Sequence, residues 1–158
     1  CLGALKVEVA ARKLQALNPY TTIVPYAQRL TSENTFIIAE YDLVIDATDN
    51  LPSRYLIDEA CVRYGKPFVY GSICEFKGQV SVFNYQGGPT YRDLYEYHDA
   101  IAEFQQPQGV IGALPGVVGS IQANEAIKLI RGSQDTLSGK LLLIDLLKGS
   151  FQTMNFIN

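Results

Sequence analysis

Histidine, cysteine and long apolar runs are all scarce in this sequence, and each scarcity removes a class of function. There is one histidine, His98, so no Ser-His-Asp or Cys-His pair can be argued from it, and a surface role is its default. The three cysteines, Cys1, Cys61 and Cys74, lie far apart with no Cys-x-x-Cys spacing. An odd number without a framework points to free thiols in a reducing, cytoplasmic compartment. With His98 added they still make a poor closed zinc site, so zinc is not expected. No run approaches the roughly 18 apolar residues of a membrane helix, and no signal-peptide pattern opens the chain. Basic residues are not in excess: the net charge of −3 leaves no electrostatic footprint for nucleic acid.

What is present is ordinary globular material. The 158 residues are 47% hydrophobic and 18% charged, enough for one domain with a buried core. The first residue is Cys rather than Met and the chain opens almost inside a helix, so an upstream portion is expected. Residues 3–17 place Val7, Ala10, Ala11, Leu14 and Leu17 at helical spacing, ended by Asn18-Pro19. "TTIVPYA" reads as a strand, with Pro25 at an edge or end. Residues 32–39 read as a short helix capped by Thr31 or Ser32. "LVIDA" is an apolar run interrupted only by Asp46, the pattern of a parallel strand covered on both faces. Asn50 and Pro52 then start a helix that buries Leu56, Ala60 and Tyr64, with Ile57 and Cys61, and ends at Gly65.

"FVYGSI" is a second buried strand, and "QVSVFNY" alternates as an antiparallel partner would. Residues 86–108 read as one long loop, a length that is usually functional. A helix follows, opened near Pro115 and closed by Gly132, with Gly116, Gly119, Ser120 and Ala123 about a turn apart for close packing. "GKLLLIDLL" and "SFQTMNFI" complete the chain as strands. The order implies an α/β fold with a mixed sheet, parallel strands first and antiparallel strands after.

Ligands on open α/β sheets bind beyond the carboxyl ends of parallel strands, and Asp49 and Asn50 lie there. A hard carboxylate at that place suits Mg²⁺, which takes one or two protein carboxylates plus phosphate oxygens. Asp and Asn are equally favoured as helix caps, which leaves two readings open: a cap alone, or Asn50 as the cap with Asp49 on metal. Asp46 is expected to be partly buried with a hydrogen-bond partner. Lys6, near the start of the first helix, could meet phosphate beside free N–H groups or be a solvated lysine. Arg54 is open in the same way. Cys61 reads as core and Cys74 as a packed thiol. The G-x-G-x-x-G fingerprint of a dinucleotide fold is absent, which argues against a nicotinamide oxidoreductase.

Five segments in order, "LGALKVEVAARKLQALNP", "DLVIDATDN…R", "GQVSVFNY…GPTYRDLY", "GVIGALPGVVGSIQANEAIKLI" and "GKLLLIDLL…F", resemble the ThiF/MoeB family, relatives of the ubiquitin-activating enzymes. The resemblance covers nearly the whole chain. It implies a Rossmann-like mixed sheet with helices on both faces, usually homodimeric. It also implies one adenylation domain over 1–158 that lacks its N-terminal glycine-rich nucleotide-binding segment, since the family's glycine-rich loop, ribose-binding acid and site arginines lie upstream. The implied reaction adenylates the C-terminal Gly-Gly carboxylate of a ubiquitin-like sulfur-carrier protein with ATP and Mg²⁺, in molybdopterin or thiamine biosynthesis. Lys6 takes the place of the lysine that contacts ATP. Asp49 takes that of the aspartate organising Mg²⁺ and phosphate, with Asn50 beside it at the nucleotide. Residues 86–108 correspond to the crossover segment under which the carrier's tail is threaded.

The chain departs from the family where zinc-bearing members have Cys-x-x-Cys, here Thr90 and Asp93, and where many carry a loop cysteine, here Gln105. Those departures leave a second reading open, a truncated or degenerate member that serves as a dimerisation or carrier-binding module without ATP chemistry.

Overall fold

The computed structural model describes residues 3–96 and 109–157. His98 and Gln105, with the second half of the expected crossover loop, lie outside them. The chain divides into two compact units, Cys1–Thr31 and Ser32–Asn158.

The first unit holds α1, Lys6–Leu17, which stops where Asn18 turns to extended backbone. Its apolar stripe is real, but none of its residues is buried: Leu14 and Leu17 remain 49% and 82% exposed. The expected strand at 21–27 does not form. A strand exists only through a neighbour, and Pro25 has no N–H to offer one.

The second unit is a five-stranded sheet in the order β1 (Val44–Ile45), β2 (Phe68–Cys74), β3 (Lys77–Phe83), β4 (Lys140–Asp145) and β5 (Ser150–Asn155). β1 and β2 are parallel and the remaining pairs antiparallel, as the sequence pattern implies. β1 is shorter than its apolar run and is an edge strand, so Ile45 is 47% exposed rather than covered on both faces. Residues 32–39 give a 3₁₀ helix, Thr35–Glu40, with Asn34 rather than Thr31 or Ser32 at the cap position.

Pairing register decides which side chains share a face. Val69 lies opposite Val82, and Gly71 opposite Val80. Onto this face packs α4, Ala113–Ile130, through Leu114, Val118, Ala126 and Leu129. Leu114, Val118 and Leu129 each contribute about 1.5–3 kcal/mol by leaving water. Gly116, Gly119, Ser120 and Ala123, whose spacing permits close packing, fall on the opposite, exposed side of α4 and do not pack on the sheet.

The other face carries Phe68 opposite Phe83, and Tyr70 opposite Ser81. It is covered by aromatic rings from α2, Leu51–Tyr64, and α3, Tyr91–Leu94, so helices do occupy both faces. Ser81 and Phe83 are as buried as Val80 and Val82, because β3 is sandwiched. α2 buries Arg54, Tyr55, Ile57, Asp58, Ala60 and Cys61, while Leu56 and Tyr64 are only half-buried. The actual stripe is rotated toward two charged residues that an apolar count passes over. Gly65 ends α2 in the left-handed region at φ 63°, where a Cβ would be strained.

The expected long loop at 86–108 is partly structured. α3 opens with a capping box between Thr90 and Asp93: Asp93 Oδ2 accepts from the Thr90 N–H at 2.7 Å and from its hydroxyl at 2.9 Å.

Candidate functional site

The site grows from the turn that follows β1. Asp46 is the first residue past the strand and only 1% exposed, so the expected partial burial is in fact complete. Its Oδ1 accepts the Thr48 N–H at 2.8 Å, folding the chain back on itself. Arg54, 7% exposed, approaches from the first turns of α2. Its Nε lies 3.4 Å from Asp46 Oδ2, and its Nη2 donates to the Thr48 carbonyl at 2.9 Å. The guanidinium also stacks over the Tyr70 ring, 5.3 Å from its centre. Burial pushes the Asp46 carboxyl above the usual carboxylate value, against the pull of the Thr48 contacts and the Arg54 charge.

This buried ionic knot projects the next two residues outward. Asn50 is the N-cap of α2, its Oδ1 accepting the Ser53 N–H at 3.0 Å. Its Nδ2 meanwhile donates to Asp49 Oδ1 at 3.2 Å. The cap is therefore Asn50's, and Asp49 stands exposed at the strand's carboxyl end with its carboxylate oriented by its neighbour. The two aspartates of "IDATD" thus divide their work: Asp46 shapes the turn from inside and Asp49 faces solvent.

Asp49 is suited to Mg²⁺ carried on phosphates. It is a hard oxygen ligand in the open, and Mg²⁺ needs few protein carboxylates because phosphate oxygens and water complete its octahedron. Among the described residues no group of three or more His, Cys, Asp or Glu comes together as an all-protein metal cage would require.

Beside the turn, the Tyr70 and Tyr95 hydroxyls both donate to Gln79 Oε1, at 3.0 and 2.8 Å. Tyr91 packs between them, its ring centre 5.3 Å from Tyr70's and 5.0 Å from Tyr95's. Burial raises all three phenols, which keeps them neutral hydrogen-bond donors. Tyr55 Oη reaches the carbonyls of Tyr95 and Glu96 at 3.1 and 3.2 Å, and Asp58 Oδ1 accepts the Tyr91 N–H at 2.8 Å. α2 thereby fixes residues 91–96.

Of the sequence candidates, Asp49 and Asn50 come together here. Lys6 belongs to the first unit, where it is exposed as the first residue of α1, and the site is built from the second unit alone. Arg54, ambiguous in sequence, is buried and ion-paired. Cys61 is wholly buried, its thiol pushed up to about 12 chiefly by desolvation. Cys74, expected to be packed, is exposed, because it sits at the tip of the β2–β3 hairpin. Sequence reasoning gave no role to Asp58, Tyr55, Tyr70, Gln79, Tyr95 or Gln122.

A model of the ThiF family matches residues 2–158. The chain belongs to the ThiF family. It is 44% identical over 161 aligned residues to a probable molybdopterin-synthase adenylyltransferase of Pyropia yezoensis, covering 99% of this chain and 43% of that protein. It is 45% identical over 162 residues to a sulfur carrier protein adenylyltransferase of Thermus thermophilus, covering 97% of this chain and 59% of that one. This ThiF-family chain thus spans about half the length of the relatives it matches. A crystal structure of E. coli MccB with ATP shares the fold at a TM-score of 0.78 and 16% identity, over 98% of this chain and 48% of that one. Among the described residues no helix is long and apolar enough to cross a membrane.

Proposed function

We propose that this chain is the part of a ThiF-family adenylyltransferase that carries Asp49, and that the protein adenylates the C-terminal glycine carboxylate of a small ubiquitin-like sulfur-carrier protein. ATP is the co-substrate, and the pathway is molybdopterin or thiamine biosynthesis. The observation that carries this reading is an exposed carboxylate, Asp49, held at the carboxyl end of β1 by a buried ion pair beneath it. The names of the relatives from Pyropia yezoensis and Thermus thermophilus support the same class of reaction.

In this reading Asp49 holds Mg²⁺ and Asn50 keeps its carboxylate turned outward while capping α2. The metal, when bound, supplies neutralisation of phosphate charge. Lys6, the exposed first residue of α1, is the ATP-contacting lysine that the family resemblance implies. An oxygen of the carrier's carboxylate forms a bond to the α-phosphorus. The bond from that phosphorus to the bridging oxygen breaks, and pyrophosphate leaves with the electron pair. Alignment and fixed charge supply the rate. A homodimeric, cytoplasmic enzyme completes the proposal.

Calorimetric titration of MgATP into this polypeptide and into Asp49→Ala tests it. Binding that the substitution removes supports a working nucleotide site at Asp49. Equal binding by both proteins overturns the assignment.

A further inference from the structure

Gln122 is the one polar residue on the buried stripe of α4 that reaches the sheet's backbone. It is 5% exposed, and its Nε2 donates to the Asp46 carbonyl at 2.7 Å and to the Val69 carbonyl at 3.3 Å. Asp46 directly follows β1 and Val69 is the β2 residue paired with Ile45, and the Asp46 N–H already donates to Val69 O at 2.9 Å. The side chain therefore closes a small ring of hydrogen bonds at the point where β1 ends and the Asp46–Asn50 turn begins.

The space for that amide is provided by Gly71. A Cβ at Gly71 would run into the Gln122 side-chain amide carbon, nitrogen and oxygen at once. Gly71 is buried and its backbone is ordinary strand, so neither exposure nor a left-handed φ explains a glycine here. Burying an amide without a partner is costly, whereas a methionine of similar shape would pack on this face without that cost. Glycine and glutamine at these two places are thus a matched pair.

We propose that Gln122 is a positioning residue, seated in the gap left by Gly71, which fixes the turn carrying Asp49 through the Asp46 carbonyl. This rests on the adenylation reading for its effect on rate, though not for its effect on the turn. Misplacement of a substrate-contacting group by about 1 Å from a change at a distance costs on the order of 100-fold in rate.

The test uses Gln122→Met and the double variant Gly71→Ala/Gln122→Ala, in the protein with any flanking sequence retained. Amide hydrogen exchange read at Thr48, Asp49 and Asn50 should quicken in Gln122→Met. The kcat for MgATP-dependent pyrophosphate exchange should fall about 10- to 100-fold with KM for ATP altered less than about 3-fold. Gly71→Ala alone should lower Tm, and the double variant should regain Tm without regaining kcat. Unchanged amide exchange in Gln122→Met overturns the proposal, as does wild-type kcat in that variant or recovery of kcat with Tm in the double variant. Asp49→Ala run alongside separates the two readings. If it exchanges pyrophosphate normally, the adenylation role of Asp49 fails, while the amide measurement still decides whether Gln122 holds the turn.

Discussion

Arg54 Nε lies 3.4 Å from the Asp46 carboxylate, and both side chains are withdrawn almost completely from water, at 8% and 0% exposed. Such a pair is costly to break from one side, because the survivor keeps its charge without compensation. Arg54→Ala should destabilise the fold by about 3–5 kcal/mol, read from urea unfolding. Arg54→Lys should recover little of that, since an ammonium cannot meet the carboxylate and the Thr48 carbonyl from one planar fork or stack on Tyr70 in the same way.

Asp58 provides a pH test. Burial raises its carboxyl above the ordinary 3.8, outweighing the Tyr91 N–H bond and the Arg92 charge that lower it. A group raised on folding favours the folded state most when protonated, below 3.8. That contribution is lost as pH climbs through the folded value. Asp58→Asn keeps an acceptor for the Tyr91 N–H and removes the titration. The Tm of Asp58→Asn minus that of the wild type should therefore rise as pH increases from about 4 and level off above the raised pKa. A difference that stays flat from pH 4 to 7 would contradict the burial argument.

The two described cysteines should separate cleanly in reactivity. Cys74 is exposed at the hairpin tip, whereas Cys61 has no accessible surface and a thiol pushed up to about 12. Iodoacetamide near pH 8, followed by peptide mapping, should modify Cys74 and spare Cys61 until the protein is unfolded. Equal labelling of both would mean that α2 does not pack as described.

Asn84 holds the far end of α2, its Nδ2 donating to the carbonyls of Cys61 and Lys66, both at 2.9 Å, from a backbone at φ 53°. Asn84→Gly keeps the left-handed conformation but loses both bonds, and should cost about 1–3 kcal/mol. Asn84→Ala should cost more by roughly 1 kcal/mol, because alanine tolerates that φ poorly. Thermal unfolding of the two variants separates the bond from the backbone.

Much of this architecture could be read in advance where local chemistry sets it. Asn50, Pro52 and Gly65 bracket α2 because capping and left-handed termination act within a turn, and the parallel-then-antiparallel sheet follows from the strand patterns. The exposed place of Asp49 at the end of an apolar run was legible for the same reason. The burial of Asp46 with a hydrogen-bond partner was legible too, whereas the pairing of Arg54 was left open and Gln122 was missed, its partner lying 76 residues away. Hydrophobic periodicity counts a buried arginine or glutamine as surface. The spacing of Gly116, Gly119, Ser120 and Ala123 permits close packing but does not name the surface that would use it. The stripe of α1 shows the converse: a correct period fixes the helix but does not say what, if anything, covers it.

The central claim is that Asp49, set outward by the Asp46–Arg54 pair and the Asn50 cap, serves adenylation. ATP–pyrophosphate exchange with the wild type and Asp49→Ala, in protein retaining any flanking sequence and with circular dichroism to confirm equal folding, tests it most directly. The account predicts exchange in the wild type and a loss of at least about 100-fold in the variant, the scale on which removal of a charge-stabilising group acts. A folded Asp49→Ala protein that exchanges at the wild-type rate would contradict it.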